Sequence, residues 1–427
     1  MNQIVLRHNS NNLISKFYTL FWIIYIPTCI LFYNRMPTYI DEFMTLILVI
    51  YGLAHWNIKR NNHKIKDEYR AYGVIMVFYV IYSLILKINS VPAVFYDLQQ
   101  QVRPYIVFYS TSLLAPKLSK KQYKKIIQFT LICIVTFTFL NLGGYKTGYA
   151  GVATPVIGQA SLLCGMMYYL NHDISQKRQA RIALLILSIG LLSGKSKFFG
   201  EYVVFIAIIF FLHSKLQMNS LKTIFAIAAL ACFVLLTTWT KFDSYYIKGF
   251  QTENTADMEA RPAYYRTAVT IMFKDYVPFG CGLASFATAT CAKYYSPLYY
   301  KYDLAGIWGL TPQWPLFIAD AYYPTLAQYG IVGLILFIIF WVRRYKEIYV
   351  ISELKYYKVG FLCMFALLLE SVADTSYLSG KGMGYFILMA MCIREEFYFK
   401  ESMQQQRQME AIQSEQTEEQ TNKIEES

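Results

Sequence analysis

Residues 323–342, YPTLAQYGIVGLILFIIFWV, carry no charged side chain and are long enough to cross a lipid bilayer. A hydrocarbon core of about 30 Å asks for roughly 20 apolar residues in a helix. A second such run, LKTIFAIAALACFVLLTTW at 221–239, lies upstream. The residues between them, 240–322, are different in kind. They hold eleven tyrosines, with Arg261, Arg266, Lys274, Lys293 and Lys301 among their cations, and no histidine. An insertion this long with weak periodicity is either functional or disordered. This one is aromatic and punctuated by glycine, not charged and low in complexity, so a folded segment is expected.

Outward from this point the chain repeats the apolar pattern. Twelve runs lie at about 17–33, 40–57, 71–88, 104–116, 126–142, 156–171, 182–193, 198–213, 222–239, 323–342, 358–373 and 382–393. The fourth, seventh and twelfth are short for a span. The 427 residues are 56% hydrophobic and 16% charged, where a soluble chain carries roughly 25% charge. The expected fold is an all-α integral membrane protein of about 12 transmembrane helices, with the insertion looped out between helices 9 and 10. Residues 1–393 form the membrane domain and 394–427 a Gln/Glu-rich tail, expected to be disordered or weakly helical. The polar start MNQIVLRHNSNNLISK lacks signal-peptide character, so the first helix reads as a retained signal-anchor.

Basic residues set the orientation. With the N-terminus inside, 26 of the 40 Lys and Arg fall in inner segments, 7 in short outer loops and 7 in the insertion. Both termini are therefore expected in the cytoplasm and the insertion on the outer face. The formal charge of +13 follows from this bias near anionic lipid, and nucleic acid is not an expected partner. All five histidines (His8, His55, His63, His172, His213) fall on the inner side. Outer-face proton transfer would thus need a carboxylate. Six of eight cysteines lie in apolar runs, where thiols behave as small hydrophobes. Cys281 and Cys291 lie outside, ten residues apart, and either a disulfide or two buried thiols fits. No metal-ligand spacing occurs. The chain has no internal repeat, which argues against a repeat-built transporter.

Charges at the outer edge of apolar helices are costly and mark candidate sites. They are Arg103 in QQQVRPYIVFY, Lys195 and Lys197 in LLSGKSKFFGEY, Arg261 and Arg266 in RPAYYR, Asp320 in FIADAYYPTLAQYG, and Glu370 with Asp374 in LLLESVADTSY. Each alone could snorkel to headgroups. Together they suit an anionic ligand, because guanidinium forks grip phosphate oxygens in two places. Asp320 and Glu370 are the candidate bases. The aromatics of 294–302, Tyr299 and Tyr300 included, suit either sugar contact or interface anchoring.

Four segments carry a family resemblance: LLSGKSKFFGEY (191–202), RPAYYRTAVTIMFKDYVPFGCGLASF (261–286), YYSPLYYKY (294–302) and FIADAYYPTLAQYGIVGLILF (317–337). They resemble the C-terminal half of the O-antigen polymerase and O-antigen ligase superfamily, over about residues 182–342. Arg266, the Pro278–Gly280–Gly282 group and the Gly330–Gly333 pair carry most of the likeness. The resemblance implies glycosyl transfer between polyprenyl-pyrophosphate-linked glycans on the outer face of the bacterial inner membrane, with no metal or other cofactor. It also implies a flippase and a chain-length regulator as working partners. Two positions depart from the pattern. Lys197 stands where the family often has arginine. Ala319 stands where the ligase branch has histidine, eleven residues before Gly330, with Asp320 beside it. The expected activity is therefore repeat-unit polymerisation, with ligase transfer to a lipid or protein as the alternative. A lipid-linked oligosaccharide flippase is the alternative from another class. In the expected site Arg266 and Arg261 act with Asp320 and Glu370, while Arg103, Lys195, Lys197, Asp374, Tyr299 and Tyr300 bind substrate.

Overall fold

The computed structural model describes residues 2–31, 39–56, 63–147, 155–171, 177–194, 196–215 and 257–400, with four isolated positions besides. These residues form helices and no strand. In chain order the helices are α1 (Asn2–Tyr25, continued by a wider turn through Leu31), α2 (Ile40–Ala54), α3 (His63–Leu86), α4 (Val91–Leu114), α5 (Lys120–Thr147), α6 (Pro155–Asn171), α7 (Lys177–Ser188) and α8 (Ser196–Ile206). After the insertion begins come α9 (Ala260–Thr270), α10 (Gly330–Val350), α11 (Leu354–Glu370) and α12 (383–400). Eleven of the twelve apolar runs coincide with helix; the run 222–239 and residues 401–427 lie outside the described residues, apart from the isolated positions 239 and 403. Three helical segments, Asn12–Leu31, His63–Leu86 and Lys120–Leu140, are long and apolar enough to cross a membrane.

Two boundaries differ from the reading above, for local reasons. The run 104–116 is the second half of a helix that starts at Val91, because Ser90 precedes a proline that is preset for the first helical turn. The run 323–342 starts as a tight turn, Tyr323–Gln328, and becomes α-helix only at Gly330.

Burial is reversed between the centre and the edge of the bundle. From Met383 to Cys392 nearly every side chain of α12 is buried, including Tyr385, Phe386, Ile387 and Leu388. A helix that is apolar all round lies in the interior, and α12 is the axial helix. The outer faces are apolar as well. Phe43, Leu46, Ile50 and Leu53 of α2 are exposed, as are Val74, Val77, Phe78, Ile81 and Ile85 of α3. Ile132, Val135 and Phe139 of α5 and Ile335, Ile338 and Val342 of α10 continue the belt. Soluble monomers rarely expose contiguous apolar patches of more than a few hundred Å². Helix faces of this kind belong in lipid.

The insertion is folded back onto the bundle from residue 257 onward. Cys281 N–H donates to the Ala327 carbonyl (3.1 Å), Gly282 N–H to Gln328 O (2.9 Å) and Val332 N–H to Pro278 O (3.1 Å). Gly280 and Gly330 face each other across this clasp, both at positive φ (80° and 61°). A Cβ on either would lie 2.3 Å from the other's backbone nitrogen. The motif glycines therefore weld the insertion to the head of α10. A second clasp comes from the α3–α4 corner. Asn89 Nδ2 donates to the carbonyls of Ala284 (2.7 Å) and Tyr294 (2.8 Å). The fully buried Asp97 accepts from Ala284 N–H and Thr290 Oγ1, both at 2.9 Å.

Candidate functional site

Five of the expected site residues gather at one end of the bundle. Arg261, on the first turn of α9, forms an ion pair with Asp320 that leaves both side chains only partly covered. Two further bonds lock this pair to the segment after α11. Tyr265 Oη, one turn on from Arg261, donates to Val372 O (2.9 Å), and Thr375 Oγ1 donates to the carbonyl of Ala319 (2.9 Å), next to Asp320. The backbone N–H groups of Tyr322 and Tyr323 both donate to Ser371 O. Arg266 is exposed on the same short helix, five residues after Arg261.

The network continues inward through the other two carboxylates. Ser376 Oγ donates to Asp374 Oδ1 (2.9 Å) and accepts from Gln159 Nε2 (2.8 Å). The same Gln159 nitrogen donates to Glu370 Oε2 (2.7 Å), and Tyr385 Oη donates to Glu370 Oε1 (3.4 Å). Glu370 is 1% exposed, so these bonds replace its water. Asp374 is half-buried, and its neighbour Thr375 is the residue bonded to Ala319 O beside Asp320. A cation, a paired carboxylate and two further carboxylates thus share one polar path from surface to core.

Arg103 is placed differently from the expectation that it binds substrate. It is 3% exposed, and its guanidinium donates to Asp41 (2.5 Å), Glu42 (2.7 Å) and Leu378 O (2.9 Å). Asp41 also accepts from Gly380 N–H at 3.1 Å. The carboxylates of α2 occupy this arginine, and a buried charge is held by whichever partners satisfy it. Its role is to tie α4 to α2 and to residues 378–380. Arg103→Ala would strand the buried Asp41 carboxylate and the partly covered Glu42, and breaking a buried pair costs about 3–5 kcal/mol. The expected result is loss of folded protein in detergent, seen as a collapsed size-exclusion peak; an unchanged melting curve would contradict it.

Tyr299 is likewise a scaffold residue. It is fully buried, it accepts from Tyr264 Oη (3.0 Å) and Ala287 N–H (3.1 Å), and its ring stacks on Phe286. It therefore cannot meet a substrate. Tyr300 is 61% exposed, and Trp308 and Trp314 are exposed as well. Lys195 lies outside the described residues, and of Lys197 only the backbone, in the first turn of α8, is described.

Cys281 and Cys291 are buried free thiols, the second of the two arrangements left open by the sequence. Each has its own partner: Ser285 Oγ lies 2.9 Å from Cys281 Sγ, and Thr288 Oγ1 3.4 Å from Cys291 Sγ. Burial pushes both thiols up to about 12. Since the thiolate is the nucleophile, neither should react with a maleimide at pH 8 in the folded protein. Both should label after denaturation without reductant. Labelling that appears only after reduction would reveal a bridge.

Asp41, Glu42, Asp97, Gln159 and Ser376 were not expected at or around this site. Asp41 and Asp97 carry the general signal of a carboxylate within an apolar helix. Gln159 and Ser376 are uncharged and give no such signal. Among the described residues no group of three or more His, Cys, Asp or Glu side chains is placed to hold a metal. No protein-family model, curated protein or solved structure matches this chain.

Proposed function

We propose that this protein is a membrane-embedded glycosyltransferase of the O-antigen polymerase and ligase type that polymerises lipid-linked oligosaccharide repeat units. In this reading about twelve helices cross the bacterial inner membrane, both termini are cytoplasmic, and the insertion with α9 faces outward. The observation that carries it is the convergence of Arg261, Asp320, Asp374 and Glu370, spread over 114 residues of sequence, on one polar path below the exposed Arg266.

The Arg261–Asp320 pair gives the reaction its logic. A donor pyrophosphate arriving at α9 competes for the Arg261 guanidinium, which suits phosphate at least as well as carboxylate. Asp320, released from its partner, takes the proton of an acceptor hydroxyl. The acceptor oxygen bonds to the anomeric carbon, the bond from that carbon to the pyrophosphate breaks, and polyprenyl pyrophosphate leaves against Arg261 and Arg266. Fixed cations aimed at developing charge in a water-poor site are usually the largest catalytic contribution. Tyr300, Trp308 and Trp314 offer exposed rings to sugar faces.

Alanine at 319 favours the polymerase over the ligase reading, since Asp320 is then the nearest proton acceptor at that level. Deletion of the gene separates the readings. A polymerase deletion leaves single repeat units on the acceptor. A ligase deletion accumulates lipid-linked polymer, and a flippase deletion traps units inside the cell.

A further inference from the structure

A slot runs between α3 and α10 on the lipid-facing side of the bundle. α3 packs along α4 but hardly touches α10. The slot is closed at one end by Tyr79 Oη donating to Tyr329 O (2.8 Å) and at the other by two ion pairs, Glu68–Arg344 (2.5 Å) and Lys64–Glu347 (3.2 Å). Between these ends lies a cavity of about 140 Å³ walled by Tyr72, Tyr105, Tyr109, Met76, Leu336 and Phe340. Glu68, Gln101, Arg343 and Arg344 also line it, so the walls are largely aromatic and aliphatic with charged and polar groups among them. Its lips are Ala71 and Ile75 on α3 and the exposed Ile339 and Arg343 on α10. The flanking faces are the apolar belt described above, so in a bilayer the slot opens to lipid chains.

The charges at the closed lower end are unbalanced. Lys64, Arg343 and Arg344 face Glu68 and Glu347, leaving one positive charge over. Arg344 is buried, held between the rings of Phe108 and Phe340 (4.8 and 5.2 Å) and bonded to both carboxylates. Arg343 is the less committed cation: it stands 3.8 Å from Glu68 and is 55% exposed at the lip of the slot. From Gly330 to Arg343 α10 rises about 20 Å. The excess positive charge therefore sits in the leaflet opposite the Arg261–Asp320 end.

We infer that this slot is a binding site for an anionic phospholipid, with one acyl chain between α3 and α10 and its phosphate on Arg343. Charge complementarity selects an anionic head, and the distance from α9 separates the site from the glycan substrate. The inference rests on the membrane-embedded part of the proposed function and not on the polymerase activity.

The test uses the full chain in phosphatidylcholine vesicles containing a phosphatidylglycerol with a photoactivatable acyl chain, followed by peptide mapping. Adducts are expected on the slot-facing residues Tyr72, Ile75 and Met76 of α3 and Leu336, Ile339 and Phe340 of α10. Arg343→Ala should lower them roughly fivefold, the worth of one basic residue near an anionic head. Leu336→Trp, which fills the cavity and keeps the cation, should remove them. Equal labelling by a phosphatidylcholine probe would overturn the inference, and so would adducts confined to Val74, Val77 and Ile81 on the outward face. Displacement of the probe by an equal or smaller amount of polyprenyl phosphate would also overturn it, by assigning the slot to substrate. Adducts on no helix would instead refute membrane embedding itself.

Discussion

Arg266→Ala and Arg261→Ala are each expected to cut polymer formation by something on the order of 10²–10³, the cost of losing one charge-stabilising donor. The two should differ in kind. Arg266 is exposed, so its loss weakens the hold on leaving pyrophosphate and leaves the fold intact. Arg261 also neutralises Asp320. Its loss removes a cation from beside the carboxylate in the resting protein, which then repels the anionic donor more strongly. Arg261→Lys keeps the charge without the planar fork and should recover part of the activity. Asp320→Asn should be as slow as Arg261→Ala but bind donor no worse, because the base is gone and the anion's competitor is gone with it. Single-turnover elongation with a radiolabelled lipid-linked donor would show these differences. Normal rates in Asp320→Asn would remove Asp320 as the base.

The second large effect concerns stability. Gly280→Ala or Gly330→Ala puts a Cβ 2.3 Å from a backbone nitrogen that no side-chain motion can clear. Each also forces an L-residue to positive φ, which alone costs about 1–2 kcal/mol. Together these exceed about 3 kcal/mol, the range of severe single-site damage. The insertion should detach from the head of α10 and become protease-sensitive near residues 278–282. Gly306→Ala is the control: nothing lies within 4 Å of its Cβ, and Gly306 is exposed. If Gly280→Ala melted with Gly306→Ala, the clasp would not hold the insertion.

These glycines show how the sequence encodes the site. Pro278, Gly280, Gly282, Gly330 and Gly333 stand out in the sequence as a spaced pattern. Their reason is the backbone-to-backbone contact of 278–282 with 327–332, a contact between distant segments that spacing alone does not reveal. Helices were legible because twenty-residue apolar runs have few other solutions. That Arg261, Asp320, Asp374 and Glu370 are charges at the edges of apolar runs was legible in the sequence, but the order of their contacts was not. Gln159 and Ser376, which join Glu370 to Asp374, carry no charge and resemble any polar residue in a helix end.

Misplaced residues share one cause. Arg103 and Tyr299 have the right chemistry for an anion and a sugar, and in sequence they are indistinguishable from their exposed counterparts Arg266 and Tyr300. What separates them is long-range. Asp41 and Glu42 reach Arg103 from another helix, and Tyr264 with Phe286 encloses Tyr299. A single sequence marks the chemistry of a side chain but not the partners that use it up.

The most direct measurement is elongation of purified lipid-linked repeat units by the purified protein in proteoliposomes, with and without Arg266→Ala. The account predicts a ladder of longer lipid-linked chains and released polyprenyl pyrophosphate from the unaltered protein, with both reduced on the order of 10²–10³ in the variant. A ladder of equal length and rate from Arg266→Ala, or no ladder from the unaltered protein, would contradict it.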